Sequence, residues 1–314
     1  MTTLADARIV VTGGAGFLGS RVVDRFRKAG ADVLVPRSRD FDFTNQSAAA
    51  EYVRQSAPDI VVHLAAEVGG IGANQANPGR YFFANMAMGL HLIEACREYE
   101  VDKYVQAGTV CSYPKHTPVP FNEDDLWNGF PEETNAPYGV AKKALLTMLQ
   151  AYRDQYSFNG IYLIPVNLYG PGDNFDLETS HVIPALIRKF VAARDRGEPS
   201  VEVWGTGTAS REFLFVDDAA EAIVLATERY DEGEPVNIGA GSEITIKDLV
   251  TTISRLIRFD GEVVWDSSRP DGQPRRMLDT SRASERFGFK AQVILEEGLA
   301  RTIRWWEEQG QAGV

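Results

Sequence analysis

Residues 8–19 read RIVVTGGAGFLG, and this stretch decides the fold class. Arg8 to Thr12 form an apolar, β-rich run, glycines follow, and apolar side chains then recur at helical spacing from Phe17 to Ala29. A strand, a tight turn and a helix are therefore predicted in that order near the start of the chain.

The glycines of this turn have the spacing Gly-x-x-Gly-x-x-Gly. Glycine permits positive φ and close backbone approach, so the amides at the helix N-terminus can face a pyrophosphate without an intervening Cβ. An isolated motif of this kind is weak evidence, but its place between a strand and a helix predicts dinucleotide binding. The residues expected at this site are Gly13, Gly16, Phe17, Leu18 and Gly19.

The choice of dinucleotide should depend on the loop after the second strand, where residues 33–43 read VLVPRSRDFDF. An enzyme that uses NAD usually carries an acidic residue here, whereas this chain offers Arg37 and Arg39, which suit a 2′-phosphate. NADP(H) is therefore the expected cofactor, and a solvated surface loop is the alternative interpretation. Asp42 follows and is a candidate contact for the adenine.

The rest of the first half alternates strand-like and helical runs, which predicts an α/β fold with a doubly wound parallel sheet. Further strands are expected at Asp32–Pro36, Ile60–Leu64, Lys103–Ala107 and Gly160–Pro165, and helices near Ala48–Gln55, Tyr81–Tyr99 and Val140–Tyr156. Residues 1–166 should form the dinucleotide-binding domain, with residues 213–240 returning to its sheet. Residues 167–212 and 241–314 should form a smaller C-terminal substrate lobe, with a helix near Ile183–Arg196.

Tyr138 and Lys142 lie four residues apart, which places a phenol and an ammonium on one face of a predicted helix. A nearby positive charge should lower the pKa of the tyrosine and help it to protonate a carbonyl oxygen as hydride reaches the carbon. Thr109 follows a predicted strand end, where open α/β sheets bind ligands, and can hydrogen-bond the same oxygen. Strand-like alternation would aim Cys111 in the same direction as Thr109.

The two cysteines and four histidines differ in their expected roles. Cys111 is a candidate base, with a small buried apolar residue as the alternative, which is also the interpretation of Cys96. His181 enters a predicted helix of the substrate lobe, whereas the other three histidines are more easily structural. No disulfide and no metal site are expected.

Charge and hydropathy limit the classes of partner. The formal net charge of −12 disfavours nucleic acid and anionic membranes, so a small anionic ligand would need a local basic pocket. The sequence contains neither a run of about eighteen apolar residues nor a signal peptide pattern, so a cytoplasmic protein without membrane attachment is expected.

Several longer strings resemble the GDP-L-fucose synthase family across almost the whole chain. They are LAAEVGGIGAN (64–74), NLYGPGDNF (167–175), SHVIPALIRKF (180–190), VWGTG (203–207), REFLFVDD (211–218) and PDGQPRRMLD (270–279). The resemblance implies an extended short-chain dehydrogenase fold, NADP(H), a homodimer and a GDP-linked 4-keto-6-deoxyhexose as substrate. It also implies epimerisation at C3 and C5 before reduction at C4, which gives GDP-L-fucose from GDP-4-keto-6-deoxy-D-mannose.

Carried over position by position, the resemblance makes Cys111 the base and His181 the acid of epimerisation, with Tyr138 and Lys142 serving the reduction. It implies further cofactor contacts at Leu64, Ala65, Ala66, Asn85, Tyr138, Lys142 and His181. It implies substrate contacts at Asn167, Val182, Lys189, Trp204, Arg211 and Arg275. This chain departs from the common pattern at Thr109, where the family has serine, and at Ser112, where it has a larger apolar residue. Both changes are expected to reshape the sugar pocket.

Two alternatives stay open. An NDP-sugar epimerase or reductase of the same fold would act on a different sugar and hold NAD(P) tightly. A non-catalytic nucleotide-binding protein is disfavoured because Tyr138, Lys142, Cys111 and His181 are all present.

Overall fold

The computed structural model describes residues 2–177, 179–269 and 272–312. Its strands are β1 (Arg8–Thr12), β2 (Asp32–Leu34), β3 (Ile60–His63), β4 (Lys103–Ala107), β5 (Gly160–Pro165), β6 (Asn167–Tyr169), β7 (Ser200–Trp204), β8 (Ser210–Phe215), β9 (Val236–Ile238), β10 (Glu243–Thr245) and β11 (Glu262–Asp266). Its α-helices are α1 (Phe17–Lys28), α2 (Gln46–Ser56), α3 (Ile71–Ala76), α4 (Pro78–Glu98), α5 (Ala136–Tyr156), α6 (Val182–Arg196), α7 (Val216–Arg229), α8 (Ile246–Ile257), α9 (Ser281–Phe287) and α10 (Leu295–Ala312).

The main sheet has six strands in the order β2-β1-β3-β4-β5-β9, all parallel. The order reverses at β1, because β2 lies on one side of it and β3 on the other. Ligands of open α/β sheets bind at the carboxyl ends of the strands beside such a reversal. The predicted doubly wound sheet is confirmed, and the reversal places the glycine turn after β1 at its ligand-binding edge.

Two helical layers cover this sheet. Helix α1 packs against α7, while α2 packs against α4, which in turn packs against α5. Because both faces are covered, the central strands are almost continuously buried, and all four residues of β3 are buried. Such strands read as apolar runs without alternation, which is why the sequence predicted most of them.

A second hydrophobic cluster forms the smaller lobe. It joins a three-stranded sheet of order β10-β8-β6 and a two-stranded sheet of order β11-β7 to helices α6, α8 and α10. Among its buried side chains are Tyr169, Phe190, Phe215, Ile253 and Leu299.

The segment 213–240 was expected to return to the main sheet, and only part of it does. Strand β9 joins the edge of that sheet and α7 packs on α1, but β8 pairs with β6 and β10 in the smaller lobe. An apolar strand has the same sequence pattern whichever sheet it joins. Helix α9, which lies within the segment 241–314, packs Ala283 and Phe287 into the core of the main sheet.

Candidate active site

The glycine turn after β1 is shaped for close backbone approach. Gly13 has φ +70°, and a Cβ there would lie 2.8 Å from the backbone nitrogen of Ala65. A Cβ on Gly19 would collide with the carbonyl oxygen of Gly13. Gly16 is the N-cap of α1, where no side chain caps the helix and the first turn holds no acidic residue. The uncapped amides and the helix dipole fit the pyrophosphate of a dinucleotide.

The loop after β3 lies against this turn and is fixed by Asn85. The amide nitrogen of Asn85 donates to the carbonyl oxygens of Glu67 (2.8 Å) and Tyr81 (2.7 Å), and its amide oxygen accepts from the backbone nitrogen of Glu67 (3.2 Å). Asn85 is fully buried, so in this structure it positions the loop that carries Leu64, Ala65 and Ala66.

The basic residues after β2 are exposed. Arg37 and Arg39 are both exposed, and Arg39 forms a weak 3.5 Å contact with the carboxylate of Asp40 beside it. Asp42 accepts hydrogen bonds from the hydroxyl (2.7 Å) and the backbone nitrogen (2.9 Å) of Thr44, which lower the pKa of Asp42. One carboxylate oxygen of Asp42 therefore serves the local turn.

Helix α5 carries the buried pair Tyr138 and Lys142, which are 7% and 1% exposed. Burial lowers the pKa of Lys142 to about 8. Burial also raises the pKa of Tyr138 above its ordinary range, the neighbouring Cys111 raises it further, and a hydrogen bond with Thr109 acts in the opposite direction.

In this structure burial outweighs the lowering of the Tyr138 pKa that Lys142 was expected to cause. Desolvation is the largest influence on both groups because both lie inside the protein. Tyr138 is consequently a neutral phenol at neutral pH, which is the form that can donate a proton.

The loop after β4 is a short 3₁₀ helix, Val110–Ser112, so the expected strand-like alternation of Thr109 and Cys111 is wrong. Thr109 caps this helix by accepting from the backbone nitrogen of Cys111 (3.2 Å). Both side chains nevertheless act on Tyr138, because the turn folds back onto the start of α5.

Ser112 lies where the 3₁₀ helix meets α5. It is fully buried, and its hydroxyl donates to the carbonyl oxygen of Gly139 at 2.9 Å. A small polar residue fits here because the 3₁₀ helix and α5 are in close contact.

Of the pair Arg275–Arg276, only Arg275 was expected to contact the substrate. In the structure the two guanidinium groups point in different directions. Arg275 is exposed and pairs with Glu243, whereas Arg276 is 7% exposed and its Nη1 lies 3.9 Å from the Sγ of Cys111. Gln273 accepts from the guanidinium of Arg276. The motif at 270–279 was the only signal for Arg276, and the first two residues of that motif lie outside the described residues.

His181 is the N-cap residue of α6. The residue as a whole is exposed, but its imidazole has enough protein around it for desolvation to lower its pKa. The segment before it contacts the loop after β3, because the backbone nitrogen of Gly70 donates to the carbonyl oxygen of Thr179 (3.2 Å). The segment that leads to His181 therefore lies against the loop after β3, which is expected to contact the cofactor.

An exposed aromatic platform lies in the smaller lobe. Trp204 is 56% exposed, with Lys189 Nζ 5.7 Å and Arg269 Cζ 4.8 Å from its ring centroid. Arg269 was not predicted, because a lone arginine near a turn carries no distinctive sequence signal. The platform suits an anionic aromatic ligand such as a nucleotide.

The remaining expected substrate contacts lie on neighbouring elements. Asn167 on β6 donates to the carbonyl oxygen of Glu212 (3.0 Å), and Arg211 on β8 donates to the carbonyl oxygen of Ser210 (2.7 Å). Val182 is half-buried at the start of α6. Hydrogen bonds to the backbone of the three-stranded sheet thus hold the side chains of Asn167 and Arg211 in place.

Two other features bear on the site. Cys96 is fully buried, which raises the pKa of its thiol and makes it inert. Within the described ranges, no cluster of three or more His, Cys, Asp or Glu side chains could hold a metal ion, and no helix is long and apolar enough to cross a membrane.

A parallel sheet with a glycine turn, and a Tyr-x-x-x-Lys pair beside a hydroxyl-bearing residue, define an extended short-chain dehydrogenase/reductase. Residues 9–239 match the NAD dependent epimerase/dehydratase family. The chain is 42% identical over 309 residues to a protein of Oryza sativa subsp. japonica described as probable GDP-L-fucose synthase 1, covering 97% of this chain and 94% of that protein.

Two solved structures extend the comparison. A GDP-6-OMe-4-keto-L-xylo-heptose reductase from C. jejuni is 28% identical with a TM-score of 0.90, covering 98% of this chain and 99% of that one. A GDP-L-fucose synthetase from Naegleria fowleri bound to NADP is 27% identical with a TM-score of 0.89, covering 99% and 97%. The chain belongs to the NAD dependent epimerase/dehydratase family and, within it, to the GDP-L-fucose synthases.

Proposed function

We propose that this protein converts GDP-4-keto-6-deoxy-D-mannose to GDP-L-fucose, by epimerisation at C3 and C5 followed by reduction at C4 with NADPH. The observation that carries the proposal is the thiol of Cys111 beside the reductase residue Tyr138. A simple ketone reductase needs the phenol and the ammonium but no thiol, whereas a 3,5-epimerase needs a base.

Epimerisation comes first in the proposed sequence. The C4 ketone acidifies the protons on C3 and C5, so the thiolate of Cys111 can remove one and leave an enolate whose charge lies on the C4 oxygen. Hydrogen bonds from Thr109 and Tyr138 stabilise that charge. His181 then donates a proton to the opposite face of the same carbon, which inverts it.

Reduction follows at the same oxygen. NADPH, when bound, supplies the hydride for C4. Tyr138 donates its phenolic proton to the oxygen, and the positive charge of Lys142 stabilises the phenolate that remains. The Gly13–Gly19 turn would hold the pyrophosphate, and Arg37 and Arg39 the 2′-phosphate, which supports NADPH over NADH.

The substrate nucleotide is assigned to the smaller lobe. The ring of Trp204, flanked by Lys189 and Arg269, can stack on a purine base while the two cations attract the diphosphate. We assign Asn167, Val182 and Arg211 to the same nucleotide sugar, because β6, β8 and the start of α6 adjoin this lobe.

The proposed enzyme is a homodimer. Phe83 and Leu90, seven residues apart on α4, expose 57% and 43% of their surface, and α4 packs against α5. A partner subunit on this face would bury both apolar side chains. Light scattering should give twice the monomer mass, and a Phe83→Asp/Leu90→Asp variant should give a monomer.

Incubation with GDP-4-keto-6-deoxymannose and NADPH in deuterated water tests the reaction. We expect one NADPH oxidised per product and deuterium at both C3 and C5. Cys111→Ser should place little deuterium at either carbon and divert product toward a GDP-6-deoxy-D-hexose, whereas His181→Gln should retain partial exchange. Tyr138→Phe should abolish reduction while exchange remains measurable.

Each alternative has its own signature in this assay. Product formed without net NADPH oxidation would identify an epimerase that recycles its cofactor. Reduction without deuterium in the wild-type product would identify a simple 4-reductase. Full deuterium incorporation by Cys111→Ser would remove the thiol from the mechanism.

A further inference from the structure

Arg276 is a buried cation held beside the Cys111 thiol. Its Nη1 lies 3.9 Å from Sγ, while its Nε (3.2 Å) and Nη2 (3.1 Å) both donate to the amide oxygen of Gln273. A planar guanidinium bonded along one edge has a fixed orientation. The direction of Nη1 toward the sulfur is therefore set by Gln273.

Gln273 is in turn anchored to the loop that follows the thiol. It is 4% exposed, and its amide nitrogen donates to the carbonyl oxygens of Lys115 (3.0 Å) and Pro114 (3.5 Å). Cys111, Arg276, Gln273 and the backbone of residues 114–115 thus form a closed ring of contacts. The ring ties the C-terminal segment to the catalytic loop.

The charge of Arg276 lacks an anionic partner among the described residues, where no carboxylate lies within ion-pair distance of it. Its side chain contacts an amide oxygen and a thiol. A buried charge without a counter-charge is costly, and arginine does not lose its proton in proteins. A thiolate at Cys111 would supply the missing negative charge.

We propose that Arg276 is a positioning residue that favours the thiolate of Cys111 and aims its sulfur at the substrate. The inference deepens the proposed function and rests on it, because it assigns Arg276 to the proton removal at C3 and C5. In that step the thiolate takes the proton and becomes a thiol, while the C–H electron pair moves into the enolate. The guanidinium then faces a neutral sulfur, and the step ends when the thiol returns its proton to solvent.

None of the other described groups near the sulfur places a charge in contact with it. Tyr138 on α5 is a neutral, buried phenol that interacts with Cys111, and Lys142 lies one helical turn further along α5. Thr109 contacts the backbone of Cys111 through an uncharged hydroxyl. Among the described residues, Arg276 is the charged group that contacts the sulfur of Cys111.

Thiol alkylation tests the inference without any sugar substrate. Cys96 is fully buried, so iodoacetamide should label the native protein at Cys111 alone, and Cys111→Ala should take no label. The rate of labelling against pH gives the titration of that thiol. We expect Arg276→Met to move the midpoint up by about one pH unit or more and to slow labelling at pH 7 roughly tenfold.

Two further variants calibrate the result. Arg276→Lys keeps the charge but loses the planar edge that bonds Gln273 through two nitrogens, so it should give an intermediate midpoint. Arg275→Met removes the neighbouring guanidinium, which pairs with Glu243, and should leave the labelling profile unchanged. Circular dichroism confirms that each variant is folded. Should Arg276→Met fail to fold, Gln273→Leu, which frees the guanidinium, replaces it and should also raise the midpoint.

The dependence of the labelling rate on pH is by itself a sufficient test of the inference. Identical midpoints for wild type and a folded Arg276→Met or Gln273→Leu variant would overturn it, as would an equal shift in Arg275→Met. A shifted midpoint in a protein that forms no GDP-L-fucose would reject the proposed function but support the contact between Arg276 and the thiolate. With the substrate, deuterium exchange at C3 and C5 should fall in parallel with the labelling rate.

Discussion

The hydroxyl of Ser112 donates a 2.9 Å hydrogen bond to the carbonyl oxygen of Gly139, and this contact joins the catalytic loop to the helix that carries Tyr138. The two backbones are so close that a Cβ on Gly139 would collide with the carbonyl oxygen of Cys111 and lie 2.9 Å from its carbonyl carbon. Thr109, Cys111 and Tyr138 are therefore placed by one packing contact.

Gly139→Ala should consequently disturb both halves of the reaction. Because the obstacle is backbone, the 3₁₀ helix must move, and we expect deuterium exchange and NADPH oxidation each to fall more than tenfold. Overpacking should also cost about 1–3 kcal/mol of unfolding free energy. Gly79→Ala in α4 is the matched control, because a Cβ there meets nothing within 4 Å. Wild-type rates in Gly139→Ala would contradict the contact.

Lys142→Met should lower the rate of reduction and raise the free energy of unfolding. Burial lowers the pKa of Lys142 to about 8 from an ordinary 10.5, so the charged ammonium costs free energy below pH 8, and stability rises from pH 8 toward 10.5. The methionine variant should be more stable at pH 7 by roughly 1–3 kcal/mol, a gain that disappears near pH 10.5, and about a hundredfold slower in reduction. Urea unfolding at pH 7 and 10 measures this, with the exposed Lys28→Met as control. A variant less stable at pH 7 would be inconsistent with the desolvation argument.

Glu212 should give the fold a pH dependence of the opposite sign. Its buried carboxylate accepts from the backbone nitrogens of Ala240 (2.6 Å), Gly241 (2.7 Å) and Leu278 (2.7 Å), yet burial raises its pKa to about 7. Because the pKa of Glu212 is higher in the folded protein than in the unfolded chain, its protonation stabilises the fold. This stabilisation is fully present below the ordinary pKa of 4.5 and is lost as pH rises through 7.

Glu212→Gln tests that linkage. The amide should remove most of the pH dependence between 5 and 8, but it places a donor against a backbone donor and should cost about 1–3 kcal/mol at pH 5. Denaturant unfolding at both pH values gives the slope, and Glu202→Gln, at an exposed position of β7, serves as control. An unchanged slope would assign the pH dependence to other groups.

The loop after β2 should set the cofactor preference. An Arg37→Ala/Arg39→Ala variant is expected to bind NADPH roughly tenfold to a hundredfold more weakly and to bind NADH as before, because only NADPH carries the 2′-phosphate. Fluorescence titration with both nucleotides measures the two affinities. Arg54→Ala, which removes an exposed arginine paired with Glu51, should change neither. A retained preference in the double variant would place the selectivity elsewhere.

The sequence by itself determined the class of fold, the glycine turn and the Tyr138–Lys142 pair. These features depend on local patterns: apolar runs for buried strands, glycines where a Cβ would collide with Ala65 or Gly13, and a four-residue spacing on one helix. Each can be read from neighbours in the chain, so each was predicted with bounds close to those observed.

Only the tertiary structure decided the direction of Arg276, the buried place of Ser112, the sheet that β8 joins and the raised pKa of Tyr138. Arg276 and Cys111 are 165 residues apart, and nothing in the pair Arg275–Arg276 says which guanidinium faces inward. Desolvation, too, depends on all surrounding atoms, so the sequence predicted the wrong sign for Tyr138. Long-range contacts and burial are properties of the packed chain, whereas secondary structure and motif spacing are properties of short segments.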